Sequence, residues 1–180
     1  MKLSIYALAI ETYVPFLSTL PELLDKGVEL ARSKGIDEAT LLNERLAPDM
    51  FTLTLQVQLA CHHAKDGTAR LTGAEPPKIE TKAMTLAELK ARVLQTVQAL
   101  TAMTGKDFEG AEDRRIELSL QGSRVFEANG FEFLCHWSLP HFYFHVVTAY
   151  DILRRFGVVI GKRDYMRHIS GGHIRQLAQV

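Results

Sequence analysis

Apolar residues recur at every third or fourth position along most of the chain, which is the spacing of one buried face of an α-helix. Four long stretches show this pattern: residues 4–34, 53–71, 85–103 and 131–156. A shorter helical stretch is predicted at residues 38–46. No internal repeat or low-complexity tract interrupts the chain. The pattern predicts a single domain over residues 1–180, with the bundle and a hairpin at 1–167 and a C-terminal tail at 168–180.

The ends and interruptions of these helices are also marked in the sequence. Pro15 and Pro21 lie inside the first stretch. We expect them to kink or divide that helix, because proline lacks an amide donor and clashes with the preceding turn. Gly35 is placed to close it as a left-handed cap. Thr85 and Glu88 form a capping-box pattern, which predicts that the third long helix begins there.

Residues 115–127 change to a two-residue period. Ile116, Leu118 and Leu120 alternate with polar residues, and Gly122 with Ser123 can turn the chain back. We therefore predict a small β-hairpin before the last long helix. Because the connections between the long helices are not tight turns, the predicted fold class is an all-α four-helix bundle with at least one crossover connection.

Composition narrows the classes of function. The chain has 21 Lys and Arg against 21 Asp and Glu, and this zero net charge argues against nucleic-acid binding. No apolar run reaches the roughly 18 residues needed to cross a membrane, so no membrane partner is expected. Cys61 and Cys135 lack CxxC spacing and are too few for a disulfide framework. We therefore expect a reduced, cytoplasmic protein.

The last long helix carries the sharpest chemical signal. His141 and His145 are four residues apart within an apolar stripe, so both rings lie on one face and can reach one cation as neutral ligands. The alternative is that each ring is a core histidine with a hydrogen-bond partner. His136 falls on a different face and is expected at the surface.

A second group of candidate residues lies on the second long helix. Gln58, His62 and Lys65 form a polar strip beside its apolar stripe, so His62 is predicted to face a lined cavity. His63 falls on the other flank, where an exposed histidine is expected, and the sequence leaves open whether His63 or Cys61 takes the place of His62. Cys61 is expected to be a small buried residue, with thiolate ligation as the alternative.

Histidines from these two helices form the predicted metal site: His62, His141 and His145. Three nitrogen ligands leave a fourth position open for water or a thiolate, which is the pattern of a catalytic site. Imidazole suits zinc, nickel, iron or copper, so the sequence does not select the ion. Three further residues are predicted to line the pocket: Gln58, Trp137 and Tyr143. The alternative is that this pocket holds a small organic molecule, or only a satisfied polar network, without metal.

Four segments together resemble a known family. They are LAPDMF at 46–51, QVQLA at 56–60, LPHFYFH at 139–145 and GVVIGKRDY at 157–165. On these segments the chain resembles domain-of-unknown-function family nineteen ninety-three (DUF1993), which at fold level is similar to the DinB/YfiT-like proteins. The resemblance extends from the first helix to about Tyr165. It implies a four-helix bundle with a crossover connection and, commonly, a homodimer.

The resemblance also carries an implication for chemistry. In the wider superfamily, a histidine on the second helix and an HxxxH pair on the last helix hold a divalent metal. His62, His141 and His145 match those places by element and order, which implies a zinc, nickel or iron site. Some superfamily relatives use the metal for thiol-dependent transfer, isomerisation or hydrolysis, which implies a low-molecular-weight thiol or another small-molecule substrate. The narrower family typically has Asp and Asn at the places of His62 and His141, so this chain departs from its nearest pattern.

Overall fold

The computed structural model describes residues 4–120 and 122–169. Its α-helices are α1 (Ile5–Ser33), α2 (Glu38–Leu42), α3 (Leu53–Thr72), α4 (Leu86–Thr101), α5 (Gly130–Phe133), α6 (Leu139–Phe156) and α7 (Lys162–Tyr165). The strands are β1 (Ile116–Leu120) and β2 (Arg124–Ala128). Short 3-10 helices cover Gly105–Phe108 and Arg167–Ile169, and a π-helical segment covers Leu134–Ser138.

The four long helices α1, α3, α4 and α6 form the bundle. Both α1 and α3 pack mainly against α4 and α6, so the order around the bundle is α1, α4, α3, α6. The first two long helices of the chain therefore lie across the bundle from each other, which confirms the predicted crossover. The core between the helices is built from large buried side chains, among them Tyr13, Phe133, Phe142, Leu17, Leu53 and Leu89.

Helix α1 runs without a break through both of its prolines. Pro15 and Pro21 each forgo one backbone hydrogen bond. However, buried side chains along the whole helix hold it against the bundle. Of the two predicted effects, a kink or a division, division of the helix is therefore wrong. The helix begins at Ser4, whose hydroxyl accepts from the Ala7 amide at 3.1 Å, and Gly35 follows its end in the left-handed region at φ +67°.

Helix α2 is shorter than predicted, ending at Leu42 rather than at residue 46. The Asn43 side chain donates to the Ala39 carbonyl at 2.8 Å and closes the last turn. The chain then forms an isolated antiparallel bridge between Arg45 and Thr52. This bridge leads directly into α3, which begins at the Thr52 cap.

The predicted hairpin is confirmed. Strands β1 and β2 pair antiparallel, with Leu118 opposite Phe126. The turn contains Gly122 at φ +74° and Ser123 at φ +57°. A positive φ costs glycine little, so Gly122 suits the turn between the two strands. The predicted capping box at the start of α4 is also present, with reciprocal bonds between Thr85 and Glu88.

The last long helix is continuous over residues 130–156, but it contains a wider turn in its first third. The Leu139 amide bonds to the Leu134 carbonyl, five residues back, which defines the π-helical segment. Pro140 follows immediately and has no amide to offer the His136 carbonyl. The ladder therefore changes register here, as is common where a proline or a functional site lies in a helix. None of the described helices combines the length and apolarity that crossing a membrane requires.

Candidate functional site

Four imidazole rings meet where α3 packs against α6. His62 and His63 come from the middle of α3, and His141 and His145 come from the first two turns of α6. We call these four residues the histidine cluster. The predicted site residues His62, His141 and His145 all belong to it, because α3 and α6 are neighbours in the bundle.

His63 is the ring that joins the two helices. Its centroid lies 5.0 Å from that of His141 and 5.2 Å from that of His145, and it is nearly parallel to His145, at 8°. We expected His63 on an exposed surface, and this expectation is wrong. Helix α6 packs against that flank of α3, so the His63 ring is half-buried between the two α6 histidines.

His62 lies on the inner side of the cluster. Its ring is 6% exposed and stands 5.4 Å from the His63 ring, at a steep angle of 70°. Among the described ring contacts, those between α3 and the α6 histidines are made by His63 and not by His62. Burial lowers the pKa of His62, and the nearby Asp66 carboxylate opposes that change.

The two α6 histidines are held by oxygen atoms at the same ring position. His145 Nδ1 donates to Gln56 Oε1 at 2.7 Å, and His141 Nδ1 donates to the Trp137 carbonyl, also at 2.7 Å. These oxygens only accept, so Nδ1 carries the proton in each neutral ring and Nε2 keeps a free lone pair. Hydrogen bonds of this kind orient the histidine ligands of metal sites.

The surroundings of His63 and His145 favour the uncharged form of these two rings. Burial, followed by the neighbouring His145, His141 and His62, lowers the pKa of His63 to about 3. Burial and the proximity of His141 and His62 lower the pKa of His145 to about 4. At neutral pH both rings are therefore unprotonated, which is the state in which imidazole binds a metal or accepts a hydrogen bond.

An aromatic wall closes one side of the cluster. The Trp137 ring lies 4.6 Å from His141 and 4.9 Å from Phe126, measured between centroids. Trp137 belongs to the π-helical segment and Phe126 to β2. The hairpin is thereby packed onto the same residue whose carbonyl orients His141.

A buried polar contact lies next to the cluster, at the backbone of His63. The Tyr13 and Ser138 hydroxyls are 2.7 Å apart, and Ser138 Oγ also donates to the His63 carbonyl at 3.5 Å. Gly67 lies at this crossing, one turn after His63. A methyl group on Gly67 would meet Ser138 Oγ and would lie 2.7 Å from the Tyr13 hydroxyl. The missing side chain therefore lets α1, α3 and the π-helical segment approach closely.

Two of the predicted lining residues make their contacts elsewhere. The Gln58 side chain binds the backbone of Lys82, donating to its carbonyl at 2.7 Å and accepting from its amide at 3.3 Å. The Tyr143 ring packs on Phe16 of α1 with 5.3 Å between centroids. Of the three predicted lining residues, Trp137 is the one in ring contact with the cluster.

Cys61 lies in the core of the bundle and is fully buried. Burial raises the pKa of its thiol to about 11, against the smaller effect of a hydrogen bond with Thr96. In the metal-free protein it is therefore a neutral thiol at physiological pH. Its position is that of the small buried residue expected from the sequence.

Whether the histidine cluster can hold a metal ion depends on the chemistry of its donor atoms and on how the side chains are arranged. The donor set is suitable, since neutral imidazoles with oriented Nδ1 atoms are the ligands that zinc, nickel and iron accept. Within residues 4–120 and 122–169, however, no group of three His, Cys, Asp or Glu side chains is arranged to hold an ion. Imidazole nitrogens bind metals in the plane of the ring, whereas His63 presents its face to His145.

Gln56 was missed from the sequence, and His63 was placed on an exposed surface instead of in this site. Gln56 and His63 are seven residues apart and therefore share one flank of α3. That flank meets α6, which brings Gln56 to His145 and His63 to both α6 rings. The shared flank is visible in the sequence, but the packing of the bundle decides which flank of α3 meets α6.

Comparison with known proteins agrees with this architecture. The family model for the domain of unknown function DUF1993 matches residues 5–166. A crystal structure of a DinB family member protein from Shewanella denitrificans is 39% identical and superimposes with a TM-score of 0.81, covering 90% of this chain and 91% of that one. No curated protein matches the chain. The chain thus belongs to family DUF1993 and shares the fold of a DinB family member.

Proposed function

We propose that the chain is a divalent-metal-dependent enzyme of the thiol-transferase or hydrolase type, with a zinc, nickel or iron ion bound by His63, His141 and His145. The observation that carries this proposal is the pair of 2.7 Å hydrogen bonds at Nδ1 of His141 and His145, which leave both Nε2 atoms free. His63 replaces His62 as the third ligand because it is the α3 ring in contact with both α6 rings.

A bound ion of this kind lowers the pKa of a coordinated water or thiol and so supplies a nucleophile near neutral pH. The chain's own residues have a supporting role. Gln56 and the Trp137 carbonyl hold the tautomers and orientations of the two α6 rings. The Trp137 ring, backed by Phe126, limits the approach of a substrate to the side of the cluster that it leaves open.

The stacked position of His63 has a consequence for metal uptake. A ring that lies at 8° to His145 with 5.2 Å between centroids does not direct its nitrogen toward a point shared with that ring. Binding of an ion therefore requires His63 to turn out of the stack, whereas His141 and His145 keep their orientation. Metal addition should accordingly move the ring signals of His63 more than those of His145.

The metal proposal is tested by titrating untagged protein with Zn²⁺, Ni²⁺ and Co²⁺ after treatment with a chelator. We expect one ion per chain, and a Co²⁺ absorption spectrum that indicates nitrogen ligation. His63→Ala and His145→Ala should abolish binding. His62→Ala should retain it, and the exposed His136→Ala is the matched control.

Two outcomes bear directly on this proposal. Protein that takes up none of the three ions contradicts it. If His62→Ala abolishes binding and His63→Ala does not, the site is the one predicted from the sequence, His62 with His141 and His145. Turnover in a screen of thiol and hydrolysable substrates, lost in His145→Ala, would establish the enzymatic part.

A second function is favoured by the stacked rings themselves. The same cluster can bind a small organic molecule without metal, since unprotonated Nε2 atoms accept hydrogen bonds and Trp137 offers an aromatic face. This alternative predicts that small aromatic donors shift the His141 and His145 ring signals in chelator-treated protein. Displacement of such a donor by Zn²⁺, seen at the same ring signals, would instead support the metal site.

We also propose that the protein forms a homodimer in the cytoplasm, as the family resemblance implies. Phe144 and Val147 lie one turn apart on α6 and are 55% and 39% exposed, with Phe51 also exposed at 49%. Large exposed apolar side chains at this spacing are typical of a contact surface. Both cysteines are free thiols, which agrees with a reducing compartment. Sedimentation should show a dimer that Val147→Glu dissociates, whereas a monomeric native chain contradicts the proposal.

A further inference from the structure

A cavity of about 770 Å³ lies between α2, the first turns of α3 and the loop that enters α4. None of its lining residues in the described part of the chain is a histidine, so it is separate from the histidine cluster. Its volume falls within the range of roughly 300 to 1,000 Å³ that is usual for small-molecule sites. The proposed function of the chain makes no use of it.

The inner surface of this cavity is apolar. Leu42 of α2 is buried there, and Leu55 of α3 and Met84 of the loop are half-buried beside it. Methionine and leucine side chains adapt to alkyl and aromatic groups and bind them mainly by excluding water. The cavity therefore suits a ligand with a substantial apolar part.

The charged residues around the cavity are mostly acidic. Asp37, Glu38 and Glu88 line it, and Lys82 is the basic residue among its lining side chains. Hydrogen bonds from the backbone and hydroxyl of Thr85 lower the pKa of Glu88, and those from Thr40 lower the pKa of Asp37. Glu88 and Asp37 therefore stay ionised well below neutral pH, and three acidic residues against one lysine give the lining a net negative charge.

Two of the carboxylates accept hydrogen bonds from consecutive backbone amides at the start of α4. Glu38 Oε1 accepts from the Leu86 amide at 2.7 Å, and Glu88 Oε2 accepts from the adjacent Thr85 amide at 2.8 Å. In the described part of the chain, the second oxygen of each carboxylate has no hydrogen bond. Both oxygens are therefore available to the N–H groups of a ligand.

The walls of the cavity are fixed by hydrogen bonds between the three elements. Gln58 of α3 binds both backbone groups of Lys82 in the loop. Thr54 of α3 donates to the Leu42 carbonyl of α2 at 2.9 Å. The Glu38 bond to Leu86 joins α2 to the start of α4. The cavity thus exists before any ligand arrives, which reduces the entropy cost of binding.

We propose that this cavity binds an organic cation, an alkyl- or arylammonium compound. Its apolar part lies on Leu42, Leu55 and Met84, and its ammonium group lies between the free oxygens of Glu38 and Glu88. Both parts of the ligand are needed. An anion of the same shape is repelled by the carboxylates, and a small inorganic cation has no apolar group to bury against the apolar surface.

The test compares three probes of one size: hexylammonium, hexanol and hexanoate. Each is titrated into the full chain while the backbone amide signals of Thr54, Leu55 and Met84 are followed by NMR. We expect hexylammonium to bind at these residues, hexanol to bind at least tenfold more weakly, and hexanoate not to bind. Raised salt should weaken hexylammonium binding, because the attraction is between partly exposed charges.

Paired variants test the role of charge. In Glu38→Gln with Glu88→Gln, both side chains keep the amide oxygen that caps α4, so the fold is expected to persist. We expect this double variant to bind hexylammonium about tenfold more weakly, as loss of two exposed charge contacts implies. Glu11→Gln with Glu75→Gln removes the same net charge from exposed positions outside the cavity and should leave binding unchanged.

The proposal fails if hexanol binds the native chain as tightly as hexylammonium, if hexanoate binds more tightly, or if the shifted signals lie away from the cavity. It also fails if the two double variants weaken binding equally. The comparison of probes on the native chain needs no variant, so it decides the matter even if a variant unfolds. Zinc binding at the histidine cluster is independent of every one of these outcomes.

Discussion

The hydrogen bond between Gln56 and His145 shows how one side chain sets the chemistry of another. Gln56 is 1% exposed and His145 is 6% exposed, so no water competes freely for either group. The Gln56 amide group in turn donates to the Phe51 carbonyl at 3.4 Å, which fixes its oxygen toward His145. The free lone pair of His145 is therefore always on Nε2.

We expect Gln56→Leu to lower the Zn²⁺ affinity of the cluster by about 10- to 100-fold, which is the usual cost of removing an oriented hydrogen bond to a histidine ligand. Gln56→Glu, which keeps an oxygen acceptor, should retain tight binding. Calorimetric titration measures both, and the exposed Gln95→Leu is the control. In metal-free Gln56→Leu, ring ¹⁵N shifts should show that His145 no longer favours the Nδ1–H tautomer. Affinity within twofold of the native value would contradict this role.

Residue spacing predicted part of this site and left the rest open. The HxxxH pair could be placed on one helical face from its four-residue interval alone. The choice between His62 and His63 could not be made, because consecutive residues are about 100° apart on a helix and these two lie on opposite flanks of the apolar stripe. Only the position of α6 beside α3 decides which flank meets His141 and His145, and that position is a property of the whole bundle.

At the scale of elements, the site depends on a close crossing of three helical segments. Gly67 of α3 leaves room for Ser138 of the π-helical segment and for Tyr13 of α1. The register change ahead of Pro140 belongs to the same crossing, since it lies in the segment that carries both Ser138 and Trp137. The proline was visible in the sequence, but the glycine has no signal there, because its role comes from a neighbouring helix.

We expect Gly67→Ala to destabilise the protein by about 1 to 3 kcal/mol, since the added methyl group has to displace Ser138 and Tyr13 in a packed region. Urea denaturation measures the free energy of unfolding. Gly105→Ala is the matched control, because among the described residues no side-chain or backbone atom of a neighbour lies within 4 Å of the position its methyl group would occupy. Its effect should stay within about 0.5 kcal/mol. Equal effects of the two substitutions would show that the crossing is not tight.

On the scale of the whole molecule, the histidine cluster ties folding to pH. In the unfolded chain His63 and His145 titrate near pH 6.5, whereas in the folded protein their pKa values are about 3 and about 4. Between these limits the unfolded state binds more protons, so the free energy of unfolding falls as the pH falls below 6.5. The contribution of these two rings to the free energy of unfolding is fully present above pH 7.

We expect the metal-free protein to lose about 2 kcal/mol of stability between pH 7 and pH 5, after allowance for the partial exposure of His63. Denaturation in urea at the two pH values measures the loss. His145→Gln should reduce it, and His136→Gln, which changes an exposed ring, should leave it as in the native chain. A native protein equally stable at both values would mean that the rings are not shielded from protons.

The overall architecture was more accessible from the sequence than the site. Helical periodicity, the Thr85 capping box and the alternation before Gly122 predicted the bundle and its hairpin, because each is a local pattern. The continuity of α1 through Pro15 and Pro21 was not predicted, since burial along the whole helix outweighs two local penalties. Local sequence patterns thus predicted the structure correctly wherever packing against distant elements did not outweigh them.

Trp137 is the only tryptophan in the chain, and it sits between the hairpin and His141. Its indole emission therefore comes from a single place, the edge of the histidine cluster. A ligand that binds the adjacent imidazole, or separation of Phe126 from the indole, changes the surroundings of that one fluorophore. Trp137 fluorescence can therefore report the binding of a metal ion or a small molecule at the histidine cluster.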